Sequence, residues 1–180
     1  MITIICGSNR LNSNSLKVAK IVQAKFKEHQ VESRIIDLAE IPQMALDAKF
    51  YGKTSTDLKK YEDKLLTSDG VITITPEYNG SYPGILKYFL DLIDFPTAFK
   101  HKPVAFIGVS AGQFGALTPV AHLQTVFGYC ESHIFGQKVY FPRVHKLLSD
   151  DGSEITDQFV SDLLQSMLIN FVSFVNKLKT

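Results

Sequence analysis

Short β-branched runs alternate with amphipathic segments along the chain, and this alternation limits the possible folds more than any other feature of the sequence. Apolar runs bounded by turn residues predict buried parallel strands. Five such runs lie at residues 2–6, 31–38, 70–75, 104–109 and 138–141. Between the first two, Ala19, Val22 and Phe26 recur at helical spacing with lysines around them, which predicts an amphipathic helix.

Two later segments also have helical spacing. Leu58, Tyr61 and Leu65 repeat behind the hydroxyl cluster at residues 54–56, which offers N-cap residues. A closing helix is predicted behind Thr156, and its buried stripe is predicted to be Phe159, Leu163, Met167, Phe171, Phe174 and Leu178. Residues 41–53 are poorly patterned and predict a loop that covers the site or merely connects two elements.

Strands that alternate with helices predict a parallel sheet with right-handed crossovers and helices on both faces, which is the doubly wound α/β plan. Five strands in 180 residues fit the flavodoxin-like order 2-1-3-4-5. The length and a hydrophobic content of 45% predict one domain over residues 1–180.

Charge and cysteine content argue against several classes of function. Nineteen basic residues against 18 acidic ones give a net charge of +1, which does not favour nucleic-acid binding. Cys6 and Cys130 form no zinc-like cluster, and they favour a reducing cytoplasm. Residues 1–10 lack the basic start of a secretory signal, and polar side chains within residues 163–178 predict that this stretch falls short of a membrane span.

The loops after strands one, three and four matter most, because open α/β sheets bind ligands at the carboxyl ends of strands where the strand order reverses. The first loop, residues 7–15, contains three serines, three asparagines and Arg10. Helix N-terminal N–H groups, hydroxyls and an arginine form an anion site, so a monophosphate fits this loop. The alternative is that Ser13 or Ser15 simply caps the helix. P-loop and G-x-G-x-x-G spacings are absent, which argues against tight ATP or NAD binding.

The second and third loops offer surroundings for a flat heteroaromatic ring. Residues 76–84 combine two prolines and two glycines with Tyr78 and Tyr82. Asn79-Gly80 alone could form a hairpin turn, but the flanks do not alternate, and Pro83 favours a strand–loop–helix unit. Small residues at 110–116 would let a ligand approach the backbone, although this spacing alone usually means only a turn.

Together the three loops resemble those of the NADPH-dependent FMN reductase family. The matching residues are Gly7-Ser8-x-Arg10-x-x-Ser13, Pro76-Glu77-Tyr78-Asn79-x-Ser81-x-Pro83-Gly84-x-Leu86-Lys87 and Ser110-x-Gly112-x-x-Gly115, in that order and at family spacing. The resemblance extends over residues 2–141. Two positions depart from it: Ser15 is commonly asparagine, and Ala116 is often a second glycine, so phosphate and ring contacts are expected to differ in detail.

The resemblance implies an FMN-dependent oxidoreductase with NADPH or NADH as co-substrate and a ping-pong reaction. The acceptor would be a small molecule such as free flavin, a quinone or an azo compound. Because the flavin carries the chemistry, no catalytic acid or base of the protein is required. In the family the first loop binds the FMN phosphate and the other two line the isoalloxazine ring. The cofactor-binding residues implied are Ser8, Arg10, Ser13, Asn14, Ser15, Pro76, Glu77, Tyr78, Asn79, Gly80, Ser110 and Gly112.

Two other classes of protein stay open at this point. A flavodoxin-like electron carrier would hold FMN without a substrate pocket, but such carriers are usually strongly acidic and this chain is nearly neutral. A ligand-sensing or scaffold protein could use the same fold without turnover. The segment 85–93 is apolar around most of a helix, which predicts a homodimer or homotetramer, and the resemblance implies pairing through this region.

Overall fold

The computed structural model describes residues 1–42, 47, 49, 55–94 and 96–179, so most of the poorly patterned segment 41–53 lies outside the described residues. Within them, one parallel sheet contains β1 Ile2–Cys6, β2 Ser33–Asp37, β3 Gly70–Pro76, β4 Pro103–Val109, β5 His133–Ile134 and β6 Val139–Phe141. The flanking helices are α1 Asn14–Glu28, α2 Thr56–Leu66, α3 Gly84–Leu92, α4 Leu117–Tyr129 and α5 Gln158–Leu178. The strand order β2-β1-β3-β4-β5 confirms the predicted flavodoxin-like fold.

The fifth place in the sheet differs from the prediction, because two short strands fill it. β5 pairs with the start of β4, and β6 pairs with the end of β4. Between them the ring of Phe135 packs against Phe171 and Phe174 of α5, at centroid distances of 5.5 and 5.3 Å. The Phe135 N–H still donates to the Val104 carbonyl of β4 at 2.8 Å, so the break in pairing comes after Phe135. A two-residue strand such as β5 is too short to produce a sequence pattern.

Alternating side chains of the strands enter two separate cores, one on each face of the sheet. On β1, Ile4 packs with α1 and α5, whereas Ile5 packs with α2, α3 and α4. The predicted N-cap of α2 is confirmed, since Ser55 Oγ accepts a hydrogen bond from the Leu58 N–H at 3.2 Å. The helices therefore cover both faces of the sheet. The carboxyl ends of the strands stay available for a ligand.

The predicted buried stripe of α5 was partly wrong. Met167 and Phe171 are buried, but Phe159, at the start of the helix, is 71% exposed. The residues that face the core are Val160, Leu164, Met167, Leu168, Phe171 and Val175, and the N-cap is Asp157. Apolar residues cover more than one face of this helix, so two stripes at helical spacing fit the sequence equally well. Only packing against the sheet selects one of them.

The expectation that α5 falls short of a membrane span also needs correction. By length and composition alone, α5 is long and apolar enough to cross a bilayer. The same test is passed by core helices of soluble proteins, and Leu164 and Phe171 of α5 are fully buried in the core. Length and composition therefore do not separate the two cases for this helix.

Candidate functional site

The carboxyl ends of β1, β3 and β4 lie side by side, as the site prediction requires. Cys6 is in register with Ile74, and Pro76 is in register with Val109. Gly7 leaves β1 very close to β3, since its N–H donates to the Ile74 carbonyl at 2.8 Å. A Cβ at Gly7 would lie 2.9 Å from that oxygen, so only glycine fits here. The first loop consequently begins directly beside the second.

A cavity of about 610 Å³ lies over these strand ends. Of the predicted cofactor-binding residues, those that line it are Arg10, Ser13, Asn14, Ser15, Pro76, Glu77, Tyr78, Asn79 and Ser110. Three others are not among its lining residues: Ser8 is fully buried beneath the loop, and Gly80 and Gly112 lie outside the lining. A concavity of similar volume around Lys20 and Lys27 lies at the opposite edge, where the strands begin and α/β folds rarely bind ligands.

Five lining residues were absent from the sequence prediction: Leu11, Asn12, Val109, Ala111 and Val144. Val144 is the most informative of them, because it follows the last strand. Its N–H donates to the Ser110 carbonyl at 3.0 Å, and the Arg143 N–H donates to the Gly112 carbonyl at 2.8 Å. In a parallel sheet, the loop after the next strand reaches the same edge. The position after β6 could therefore have been predicted from topology.

The start of α1 has both a cap and an unpartnered hydroxyl. Ser13 is the N-cap, and its Oγ accepts from the Leu16 N–H at 3.2 Å, as the helix-cap alternative expected. Ser15 has a different environment: it is 1% exposed, and its Oγ has no hydrogen-bond partner among the described residues. The N–H groups of Asn14 and Ser15 belong to the first helical turn, where helical geometry supplies no acceptor. This end of the cavity is therefore rich in donors.

Cys6 lies beneath the same helix start but has the character of a structural thiol. It is fully buried, and its Sγ lies 3.8 Å from Ser13 Oγ. Burial raises the pKa of the Cys6 thiol to about 12. The thiolate needed for nucleophilic attack is thus disfavoured, and Cys6 has the character of a small buried hydrophobe.

Tyr78 of the second loop contacts the first loop. Its hydroxyl lies 2.8 Å from Ser8 Oγ, and the guanidinium carbon of Arg10 lies 4.4 Å from the centroid of its ring. Ser8 Oγ also accepts from the Arg10 backbone N–H at 3.2 Å. The two loops that sequence analysis assigned to the phosphate and to the ring are therefore joined by side chains.

The second loop contains a tight turn inside a strand–loop–helix unit. Tyr78 and Ser81 exchange backbone hydrogen bonds of 2.8 and 3.1 Å around Asn79 and Gly80, whose φ angles are +52° and +76°. This is the two-residue turn that Asn-Gly favours, although no strands continue from it. Ser81 Oγ lies 2.9 Å from His122 Nδ1 of α4. Tyr82, which was expected to contact flavin or substrate, is half-buried and packs against the core between the sheet and α3, and its contact with a ligand stays a prediction.

The hydroxyl of the third loop is already engaged. Ser110 Oγ donates to the Gly112 carbonyl at 3.0 Å, and Ser110 is 8% exposed. The Gly112 carbonyl therefore accepts two hydrogen bonds, one from Ser110 and one from Arg143. This loop can offer a ligand its backbone and small side chains more readily than the Ser110 hydroxyl.

A model of the NADPH-dependent FMN reductase family matches residues 1–146 of the sequence. The chain belongs to this family. This match confirms the resemblance that the three loops suggested, and the family description names NADPH as the nicotinamide and FMN as the flavin of the family.

Individual proteins that are similar to this chain carry names that are consistent with the family. The FMN-dependent NADPH-azoreductase of Staphylococcus aureus is 39% identical over 129 residues, which are 68% of this chain and 66% of that protein. The chain thus spans about two thirds of the length of this relative. A solved flavoenzyme NAD(P)H:acceptor oxidoreductase from Paracoccus denitrificans is 27% identical, with a TM-score of 0.82 over 98% of this chain and 97% of that one. An apo NADH:FMN oxidoreductase, 22% identical with a TM-score of 0.73 over 94% and 87% of the two chains, shares the fold.

One of the two departures from the family pattern has a backbone explanation. Ala116, where the family often has glycine, adopts φ 67° and ψ 35° at the N-cap of α4. This left-handed conformation favours glycine and costs an alanine about 1 kcal/mol or more. The chain therefore keeps, at Ala116, a backbone conformation that glycine favours. The other departure, Ser15, occupies the first turn of α1 with its free hydroxyl.

Proposed function

We propose that the protein is an FMN-dependent NAD(P)H oxidoreductase that reduces a small acceptor. The observation that carries this proposal is the unpartnered Ser15 hydroxyl at the start of α1, inside a cavity that Arg10 also lines. A buried hydroxyl without a partner is costly and is expected to have one in the functional state. A phosphate at the helix N-terminus would supply the acceptor that Ser15 lacks.

The residues fit FMN at both ends of the cavity. Arg10, Ser13, Asn14 and Ser15 would hold the phosphate by charge and hydrogen bonds, with Ser8 supporting them from below. The backbone of residues 76–79 and 110–111, which line the cavity, would face the ring. When bound, FMN supplies the redox chemistry, accepting hydride from the nicotinamide and passing electrons to the acceptor. The protein's own part is to bind, orient and shield the flavin, and we assign no residue as a catalytic acid or base.

The proposed acceptor is a small redox-active molecule. The name of the Staphylococcus aureus relative makes azo compounds one class to test, and quinones and free flavin are the others. NADPH and NADH are both candidates as donors. A cytoplasmic location is part of the proposal, because the free Cys6 and Cys130 suit a reducing compartment. We propose no nucleic-acid or membrane partner.

The decisive experiment measures flavin binding by absorbance and then the oxidation of the nicotinamide. Purified protein supplied with FMN should be yellow, with a flavin absorption spectrum that stays with the protein through gel filtration. Oxidation of NADPH and of NADH is then followed with a quinone, an azo dye or free FMN as acceptor. Retained flavin without turnover would favour the electron carrier, and absence of flavin binding would contradict the proposal.

Replacing Ser15 with alanine should have opposite effects on the apo and the FMN-bound protein. The apo form should gain about 1 kcal/mol, because a buried hydroxyl without a partner is removed. FMN affinity should fall about tenfold, because a hydrogen bond to a charged phosphate is lost. Thermal melts with and without FMN and a fluorescence titration measure both effects.

The matched control for this change is Ser173→Ala, at an exposed position of α5. It makes the same Ser-to-Ala change within a helix without removing a buried hydroxyl. We expect it to leave FMN affinity unchanged. A Ser15→Ala variant that binds FMN as tightly as the wild type would show that this hydroxyl does not contact phosphate.

We propose that the protein is a homodimer or homotetramer that pairs through α3. Leu86 and Phe89 of α3 are buried, but Ile85, Tyr88 and Leu90 pack only partly against the core. Sedimentation at micromolar concentration should give at least twice the chain mass of 20.1 kDa, and Ile85→Glu should reduce it. A monomer for the wild type would contradict this assembly.

A further inference from the structure

We infer that Tyr78 is a positioning residue for the flavin phosphate, acting through Arg10 and Ser8, rather than a residue that binds the flavin ring. This inference rests on the proposed function, because it concerns how the protein prefers FMN to riboflavin. Sequence analysis assigned Tyr78 to the ring by its place in the second loop. Its contacts point to the first loop.

The first contact holds the side chain of Arg10. Arg10 is exposed, so its long side chain would otherwise sample many rotamers. The ring of Tyr78, 4.4 Å from the guanidinium carbon, offers a cation–π surface on which the guanidinium rests at the edge of the cavity. A planar guanidinium that is already placed loses less freedom when it binds a phosphate. Tyr78 thus pre-organises Arg10.

The second contact holds the backbone of the first loop. Ser8 is fully buried, and its Oγ lies 2.8 Å from the Tyr78 hydroxyl while it accepts from the Arg10 N–H at 3.2 Å. Ser8 therefore joins the Tyr78 side chain to the Arg10 main chain. Its hydroxyl is engaged with these two partners, so Ser8 supports the loop instead of reaching into the cavity.

Tyr78 is itself firmly held, as a positioning residue must be. Its backbone exchanges two hydrogen bonds with Ser81, and Ser81 Oγ lies 2.9 Å from His122 Nδ1 of α4. The ring face that lies beneath Arg10 is not available to stack on a flavin. The second loop thus fixes the geometry of the first, and phosphate recognition depends on a residue from the ring side of the site.

The test compares FMN with riboflavin, which lacks the phosphate, by fluorescence titration at fixed ionic strength. Tyr78→Ala should weaken FMN binding by about five- to tenfold, from the combined loss of a cation–π contact and a hydroxyl hydrogen bond, and should change riboflavin binding less than about twofold. Tyr78→Phe keeps the ring and should lose only about two- to fivefold. His29→Ala, at an exposed position at the end of α1, should change neither. Thermal melts of each apo variant verify that it is folded.

The double variant Arg10→Ala/Tyr78→Ala gives a second readout. If Tyr78 acts through Arg10, the double variant should bind FMN nearly as well as Arg10→Ala alone. Equal weakening of FMN and riboflavin by Tyr78→Ala would overturn the inference and return Tyr78 to the ring, while leaving the proposed function intact. A wild type that does not prefer FMN to riboflavin would overturn the inference too, and a wild type that binds neither would contradict the proposed function as well.

Discussion

Replacing Arg10 with alanine is expected to weaken FMN binding by about one to two decades. The guanidinium lines the cavity beside the start of α1, where the proposed phosphate lies. A charge-assisted contact of this type is worth roughly 1.5 to 3 kcal/mol. Riboflavin should lose far less affinity. Fluorescence titrations of both flavins against wild type and variant, at fixed ionic strength, measure the difference.

The comparison of two flavins separates a lost phosphate contact from a loosened fold, because a loosened fold would weaken both ligands together. Arg10→Lys should give an intermediate affinity. An ammonium keeps the charge, but it neither stacks on an aromatic ring nor donates two parallel hydrogen bonds to a phosphate, as a guanidinium does. Lys20→Ala removes the same charge from an exposed position of α1 remote from the cavity, and it should leave both affinities unchanged. If Arg10→Ala binds FMN like the wild type, the phosphate assignment must move to the serines and backbone amides of this loop.

Replacing Gly108 with alanine is expected to lower the free energy of unfolding by about 3 kcal/mol, through overpacking. Gly108 lies within β4, and a Cβ there would overlap the Gly115 carbonyl oxygen and lie 2.8 Å from Tyr140 Cδ1. Both neighbours are constrained, one by the backbone of the third loop and the other by β6. The third loop must therefore move away from β4, and FMN retention should fall with stability. Chemical denaturation measures the first effect, and flavin release measures the second.

Gly136→Ala is the matched control for this change. Gly136 lies between β5 and β6, and no atom lies within 4 Å of the position its Cβ would take. The variant should unfold within about 0.5 kcal/mol of the wild type, as open surface substitutions do. Equal stability of Gly108→Ala and Gly136→Ala would mean that the third loop adapts freely to the added methyl group.

The parts of the fold that the sequence predicted are those with long buried patterns. β1 was predicted with its observed bounds, and the strand order followed from the alternation of elements. β5 was missed because two residues have no periodicity. The buried stripe of α5 was assigned to the wrong set of residues because Phe159 and Val160 each begin an acceptable helical series. Packing, which acts across the sheet, decides such cases and leaves no local pattern.

In the candidate site, too, some features were predictable from the sequence and others depended on three-dimensional packing. Loop positions after β1, β3 and β4 were predictable from topology, and nine of the twelve predicted cofactor-binding residues line the cavity. The directions of individual side chains were not predictable. Ser8 is buried beneath the loop, and Tyr78 contacts Arg10, because three-dimensional contacts between loops decide where these side chains lie. Val144 was missed although its strand, β6, was predicted, because only the loops after strands one, three and four were considered for the site.

The divided last strand has a consequence for how copies of this protein can associate. A continuous edge strand is a template for strand addition, and hence for aggregation. Here the edge beyond β4 consists of two pieces of two and three residues. Phe135, which lies between them, is anchored against α5, and Lys138 places a charge next to the second piece. An incoming strand would find no continuous ladder at this edge of the sheet, which disfavours association of copies through the strands beyond β4.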